Sequence, residues 1–216
     1  MEGMSNLNEP AFLSAVAGLP PKPEYPDTLV GHAVRDMNTI PGFFSDKEAY
    51  ELYKIALFGL EVAPAIVEIG SFHGKSTSVL AAACRDSGKG RVFAIDPHQG
   101  ALFKDMTSTA PSLGFFLANM KRLELMDFVF PIVRAAKDAK IDVPVGHLFI
   151  DGLHDFGSVS ADIKNATPWV ARGGFVSFHD YWPHDMGVIQ AVDDMMKRGG
   201  FEYVSQVDRL RTVKKL

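Results

Sequence analysis

The stretch AIVEIGSFHGKST, residues 65–77, constrains the fold more than any other part of this chain. Ala65, Ile66 and Val67 read as a buried strand that ends in an acid, Glu68. Gly70 and Gly74 bracket a tight turn, and Lys75, Ser76 and Thr77 open a helix. A strand passing through a glycine turn into a helix begins a parallel βαβ unit. It also leaves backbone N–H groups and a helix N-terminus facing a polar ligand. A phosphate loop would need four residues between its first glycine and Gly-Lys-Ser/Thr. Here only Ser71, Phe72 and His73 intervene, and Glu68 would set negative charge beside the phosphates. The dinucleotide pattern Gly-x-Gly-x-x-Gly does not occur in the stretch either. Two readings remain: a nucleoside-binding turn with no pyrophosphate requirement, or a turn that only packs a helix on a sheet. In the first, Glu68 suits a ligand carrying a cationic amine or hydroxyls.

The next strand favours the nucleoside reading. Arg91 to Ile95 is a short apolar run that ends in Asp96-Pro97, and Asp96 lies 22 positions after Gly74. That is close to the offset of about 20 residues at which a second-strand acid meets ribose hydroxyls. Pro97 stops the strand so that the carboxylate can face a crevice.

Strand and helix patterns then alternate along the chain. A Ser-x-x-Glu capping box at Ser45–Glu48 opens a helix reaching about Leu60, with apolar positions at helical spacing (Leu52, Ile55, Ala56, Leu60). Strands are expected at 65–69, 91–95, 128–133, 147–151 and 174–178, and helices at 75–87, 112–124, 156–170 and 186–198. Two β-like runs at 201–207 and 210–214 are separated only by Asp208 and Arg209, so they form a hairpin. The expected fold is therefore α/β: a doubly wound, Rossmann-like, mostly parallel sheet with a carboxyl-terminal antiparallel hairpin strand.

Residues 1–39 are proline-rich and read as an irregular N-terminal extension, with a short helix near 11–17, that packs on the core or reaches a partner subunit. Residues 40–216 form the domain. A chain of 216 residues, 47% hydrophobic, can bury one good core. Net charge is −4 with dispersed Lys and Arg, which gives no nucleic-acid footprint. The single cysteine, Cys84, sits in an apolar helical context and reads as an inert buried thiol. With no leader pattern and no long apolar span, the expectation is a soluble cytoplasmic protein without membrane partners.

A second chemical cluster runs from His147 to Asp185. One apolar strand ends in Asp151-Gly152-Leu153-His154-Asp155, and the next ends in His179-Asp180-Tyr181-Trp182. Neighbouring parallel strands open their carboxyl ends into one crevice, so Asp151, His154, His179 and Asp180 should converge near Glu68 and Asp96. Carboxylates with imidazole suit a divalent metal, Mg²⁺ or Mn²⁺ if oxygen-rich, zinc or iron if richer in histidine. A strand-end Asp or His can also be a simple cap, and Asp155 and Asp162 fit that role.

The order IVEIGSFHGKST, VFAIDPH, LFIDGLHDFGSVSADI and VARGGFVSFHDYW resembles class I S-adenosylmethionine-dependent methyltransferases. Within them it is most similar to the bacterial cephalosporin hydroxylase-like and macrolide-sugar O-methyltransferase group. The resemblance covers about residues 40 to 216. It implies the class I methyltransferase fold and S-adenosylmethionine as cofactor, possible Mg²⁺ or other divalent assistance, and a small hydroxylated acceptor. It further implies that Glu68, Gly70, Ser71 and Gly74 wall the methionine part, with Lys75 and Ser76 at the approaching helix start. By the same likeness Asp96 binds the ribose, and Ala135 and Ala136 contact adenine with Asp138 close by. Asp151, His179 and Asp180 match the metal-holding positions of metal-dependent relatives, although His179 stands where some relatives have a carboxylate.

Methyl transfer needs in-line attack by an aligned acceptor oxygen and a sink for its proton. Asp151 belongs both to the cofactor wall and to the catalytic group, and His154 or His179 is the candidate base. Phe115, Phe116, Tyr181 and Trp182 could line an acceptor pocket or pack in the core. The segment from His98 to Gly114 reads as a lid or a solvent loop. Other classes remain open at this stage: a metal-dependent hydrolase using the same Asp and His residues, or a non-catalytic cofactor-binding protein. Neither a nucleic-acid nor a membrane partner is expected, and a homo-oligomer joined through the N-terminal extension is.

Overall fold

The structure, a computed structural model, describes residues 27–99 and 111–216. Its elements run α1 (Asp27–Met37), α2 (Asp46–Val62), β1 (Ala65–Ile69), α3 (Lys75–Ser87), β2 (Arg91–Ile95), α4 (Leu113–Arg122), β3 (Val129–Ile132), β4 (Val145–Ile150), α5 (Phe156–Ala166), β5 (Val170–Phe178), α6 (Met186–Arg198), β6 (Phe201–Val207) and β7 (Leu210–Lys215). The strands form one seven-stranded sheet in the order β3-β2-β1-β4-β5-β7-β6. Pairing is parallel from β3 through β5, and β7 runs antiparallel to both β5 and β6. The doubly wound sheet with its terminal hairpin is the architecture expected from the alternation of patterns.

Successive strand residues point to opposite faces, and the two cores follow that pleat. Ile66, Val92, Ala94 and Phe149 pack with α1, α2, α3 and α4. Val67, Ile69, Leu148, Ile150, Val176 and Phe178 pack with α5 and α6 on the other face. Fully buried Leu52, Ile55, Leu80 and Phe149 each contribute roughly 1.5–3 kcal/mol through burial. Helix α2 crosses β4 at very short range: a Cβ on Gly146 would lie 2.0 Å from the Gly59 carbonyl oxygen. Only paired glycines let backbone approach backbone that closely. Cys84 is fully buried, and burial pushes its thiol up to about 12, as befits an inert core group.

Three local expectations differ from what is observed. Residues 27–37, read as irregular, form α1, whose Ala33, Val34 and Met37 are buried in the core. Their spacing is helical, but the prolines immediately upstream hid it. The helix expected over 156–170 ends at Ala166, where a short 3-10 turn carrying Pro168 takes over. β5 accordingly starts at Val170 rather than 174, and its pairing with β4 shifts register between Val145 and His147. Gly173, at φ +84°, sits within that irregular stretch, so the Gly-Gly pair interrupts the ladder without ending the strand. The short helix expected near 11–17, and residues 100–110 of the expected lid, lie outside the described residues.

Candidate active site

The site is built at the carboxyl ends of β1, β2, β4 and β5, where the main chain itself holds the strand ends together. Gly70 N–H donates to the Ile95 carbonyl (2.9 Å), Asp151 N–H to Ile69 (2.8 Å) and His179 N–H to Ile150 (3.0 Å). Gly70, at φ +90°, is the crossing point: a Cβ there would lie 2.0 Å from the Asp151 carbonyl oxygen. Phe72 (φ 44°), His98 (φ 52°) and Asp180 (φ 54°) also adopt left-handed backbone around this crevice. Such conformations cost about 1–3 kcal/mol each and persist where the surroundings over-determine them.

At the ends of β1 and β2, Asp96 stands beside the glycine turn. Its carboxylate accepts from the N–H groups of Phe72 (2.8 Å) and His98 (2.6 Å), which pins the glycine turn to the end of β2. Ser71 is buried, and its Oγ has no hydrogen-bond partner among the described residues. Gly74, at φ 87°, precedes α3 with no side-chain cap, so the first N–H groups of that helix have no side-chain acceptor. An unsatisfied hydroxyl beside an uncapped helix start fits a ligand carrying a carboxylate or hydroxyls. Ala135 and Ala136 follow β3 at the far end of the crevice, and the Asp96 N–H donates to the Ile132 carbonyl there (3.2 Å).

Glu68 corrects the expectation that it meets a ligand amine. It shares strand parity with Ile66, so it points under α3 and is fully buried. Ser76 Oγ donates to one of its oxygens at 2.5 Å and Thr77 Oγ1 donates to the other. Burial first, with Asp151 and Asp96 adding to it against these hydroxyl bonds, raises Glu68 to about 8. The Ser76 side chain is thereby committed to Glu68, and Lys75 Nζ donates to the Ile40 carbonyl at 3.0 Å. Only the main chain of Lys75 and Ser76 stays available at the helix start.

At the ends of β4 and β5, Asp151, His154 and Asp180 present ligand atoms all within 4.8 Å of one another. His154 Nε2 lies 3.1 Å from Asp180 Oδ2, and its Nδ1 lies 3.1 Å from Asp185 Oδ1. The Asp180 hydrogen bond, resisted by burial but helped by the Asp180, Asp151 and Asp185 charges, raises the pKa of His154. His179 departs from both expected roles. Its side chain is 2% exposed, with Nδ1 3.2 Å from Asp151 Oδ1 and 3.1 Å from Asp180 Oδ2. Its Nε2 stands 3.4 Å from Glu48 Oε1, an ion-pair distance rather than a hydrogen bond. Burial alone would favour the neutral ring, but Asp151, Asp180 and Glu48 carry it up to about 12. A buried imidazolium enclosed by carboxylates is a counter-ion. It is 2% exposed and is not among the ligand atoms that group within 4.8 Å at this crevice.

Glu48 and Arg209 were not singled out from sequence for this site. Burial would raise Glu48, yet His179 and the Ser45 and Arg209 N–H groups hold it below its ordinary value. The capping box was the visible signal: Glu48 Oε2 closes it by accepting from Ser45 N–H (2.8 Å), while Oε1 reaches the site. His98 was likewise missed, and its buried Nδ1 pairs with Ser112 Oγ at 2.8 Å. Among the aromatic candidates, Phe116 is fully buried, and Tyr181 donates to Asp193 (2.7 Å) beneath the Arg211 guanidinium. Phe115 and Trp182 remain exposed. Asp155 is an N-cap, accepting from Ser158 N–H at 3.0 Å.

Comparison with solved structures gives the same architecture at low identity. The O-methyltransferase NovP is 19% identical with a TM-score of 0.67, over 79% of this chain and 80% of its own. The S-adenosylhomocysteine-bound methyltransferase PaMTH1 of Podospora anserina is 13% identical with a TM-score of 0.63, over 100% of both chains. The O-methyltransferase TomG of Streptomyces achromogenes, solved with S-adenosylmethionine and involved in tomaymycin synthesis, is 16% identical with a TM-score of 0.58, over 94% of both. At these identities the likeness establishes the fold. A family model described as a methyltransferase domain matches residues 67–181, from within β1 through Asp180 to Tyr181. That match covers more than half of the chain and includes the glycine turn, Asp96, Asp151, His154 and Asp180, so the chain belongs to the methyltransferase-domain family.

Proposed function

We propose that this protein is an S-adenosylmethionine-dependent O-methyltransferase acting on a hydroxyl of a small molecule such as a sugar, polyketide or phenol. The observation that carries the reading is the meeting of two half-sites at adjacent strand ends. Asp96 and the open start of α3 form one, and Asp151, His154 and Asp180 form the other, joined through Gly70.

S-adenosylmethionine supplies a methyl group on a sulfonium, the electrophile for an in-line displacement. The chain's own part is positioning and proton removal. Asp96 offers its remaining lone pairs to vicinal hydroxyls while the Phe72 and His98 N–H groups fix its orientation. The uncapped N–H groups at Lys75 and Ser76 suit a carboxylate. Opposite them, His154 is the candidate base, and it takes the acceptor proton only once its ring is neutral and one nitrogen is turned from its carboxylate to the acceptor. Asp180 and Asp185 flank its two ring nitrogens, and its side chain is 26% exposed. Asp151, His154 and Asp180 also fit a divalent cation such as Mg²⁺, which would lower the acceptor hydroxyl's pKa; His154 would then serve as a ligand.

The same reading treats residues 40–216 with α1 as the catalytic unit and the segment before it as an extension that joins a homo-oligomer. It places the enzyme in the cytoplasm, without nucleic-acid or membrane partners. No helix among the described residues is long and apolar enough to cross a membrane. Calorimetric titration of S-adenosylmethionine into wild type and Asp96→Ala tests the reading. Micromolar binding by wild type, weakened at least tenfold in the variant, is expected, about 1.4 kcal/mol or more; no binding to wild type would refute it. A panel of hydroxylated sugars and phenols scored for methyl transfer, with and without Mg²⁺, then identifies the acceptor class.

A further inference from the structure

The turn of the carboxyl-terminal hairpin brings a cation to the acceptor side of the crevice. Arg209 lies between β6 and β7, and its Nη1 donates to Asp180 Oδ1 at 2.9 Å. The other oxygen of Asp180, Oδ2, faces His154 Nε2 and His179 Nδ1, both at 3.1 Å. Arg209 is itself held on every side. Its N–H donates to Glu48 Oε1 (2.9 Å), its Nη2 to the Phe43 carbonyl (3.0 Å), and its own carbonyl accepts from Tyr181 N–H (3.0 Å). The neighbouring turn residue, Asp208, accepts from Ser45 Oγ at 2.9 Å, so hairpin and α2 cap are tied together next to the site.

We propose that Arg209 is a positioning residue: its guanidinium fork spans Asp180 Oδ1 and the Phe43 carbonyl, holding Oδ1 so that Oδ2 stays turned to His154. Asp180 sits in left-handed backbone, at φ 54°, two residues beyond the end of β5, and Arg209 is the group that holds its Oδ1. A planar fork can bridge Asp180 and the Phe43 carbonyl together, whereas a lysine ammonium on a flexible stem reaches one of them at a time. The inference rests on reading Asp151, His154 and Asp180 as a set able to hold a divalent cation. Groups that orient metal ligands typically change metal affinity by about 10–100-fold when removed.

Mn²⁺ is the probe, titrated into the full chain by calorimetry and followed by its paramagnetic resonance signal, with S-adenosylmethionine titrated in parallel. Arg209→Lys keeps the charge and loses the fork, so its Mn²⁺ dissociation constant should rise by about tenfold while S-adenosylmethionine affinity is unchanged. Arg209→Met gives a test of sign. A guanidinium that only repels cations would, once removed, leave Mn²⁺ bound more tightly; a positioning one leaves it bound more weakly. Tighter binding by Arg209→Met, or unchanged Mn²⁺ affinity in both variants, overturns the inference. Loss of S-adenosylmethionine binding together with Mn²⁺ in both variants also overturns it, since that reports collapse of the crevice. Wild type that binds S-adenosylmethionine but not Mn²⁺ removes the cation set and this inference with it, leaving the methyl-transfer reading standing.

Discussion

Glu68→Gln separates the charge of the buried acid from its shape. In the wild type, burial holds Glu68 at about 8, against an ordinary value of 4.5, with its oxygens on Ser76 and Thr77. Because the folded value is raised, the folded state binds more protons than the unfolded state between those two values. The stability Glu68 contributes is therefore fully present below about pH 4.5 and is lost as pH rises through about 8. Within that window the slope is about 1.4 kcal/mol per pH unit. From pH 5.5 to 7.5 the wild type should lose about 3 kcal/mol relative to the variant. Glutamine is isosteric and neutral and can still bond both hydroxyls, so Glu68→Gln should fold and lack this component. His179 also loses stability as pH rises above its ordinary value, but it does so in both proteins and cancels from the difference. Urea denaturation of both proteins at half-unit steps from pH 5 to 8, monitored by far-UV circular dichroism, measures it. Parallel pH profiles for the two proteins would refute the assignment of a protonated Glu68 beneath α3.

Gly70→Ala should lower stability by more than about 3 kcal/mol, because its Cβ would lie 2.0 Å from the Asp151 carbonyl at φ +90°. A melting temperature within a few degrees of wild type would contradict this. His147 is buried and held at about 3 by burial, with Nε2 2.9 Å from Ser177 Oγ. Its folded value is depressed, so its contribution is lost as pH falls below about 6.5. His147→Gln should therefore flatten the acid limb of the stability profile by about 1.4 kcal/mol per pH unit, and an unchanged acid limb in equilibrium denaturation would exclude that source.

What could be read in advance divides by range. Strand β1, its glycine turn and helix α3 lie within residues 65–87, and their periodicities are local. Asp96 was legible for the same reason, since a short spacing and a following proline place it at a strand end. Glu68 was legible in identity but misread in direction, although strand parity with Ile66 carries that information: alternation sends residues 66 and 68 to the face covered by α1 to α4. Helix α1 was hidden by proline-rich neighbours and is stabilised by tertiary contact of Ala33, Val34 and Met37 with the core.

The amino-acid pattern by itself determined the sheet's winding, the hairpin, the strand-end acids and the family likeness, because each depends on residues close in sequence. Tertiary structure alone decided that His154 stays partly exposed beside Asp151 and Asp180 while His179 is enclosed behind them. It also decided that Glu48 and Arg209, 161 positions apart, meet there. Which strand-end side chain faces the crevice and which is enclosed depends on register between β4, β5 and β7 and on how α2 lies across them. Those are long-range packing outcomes, and no local period encodes them.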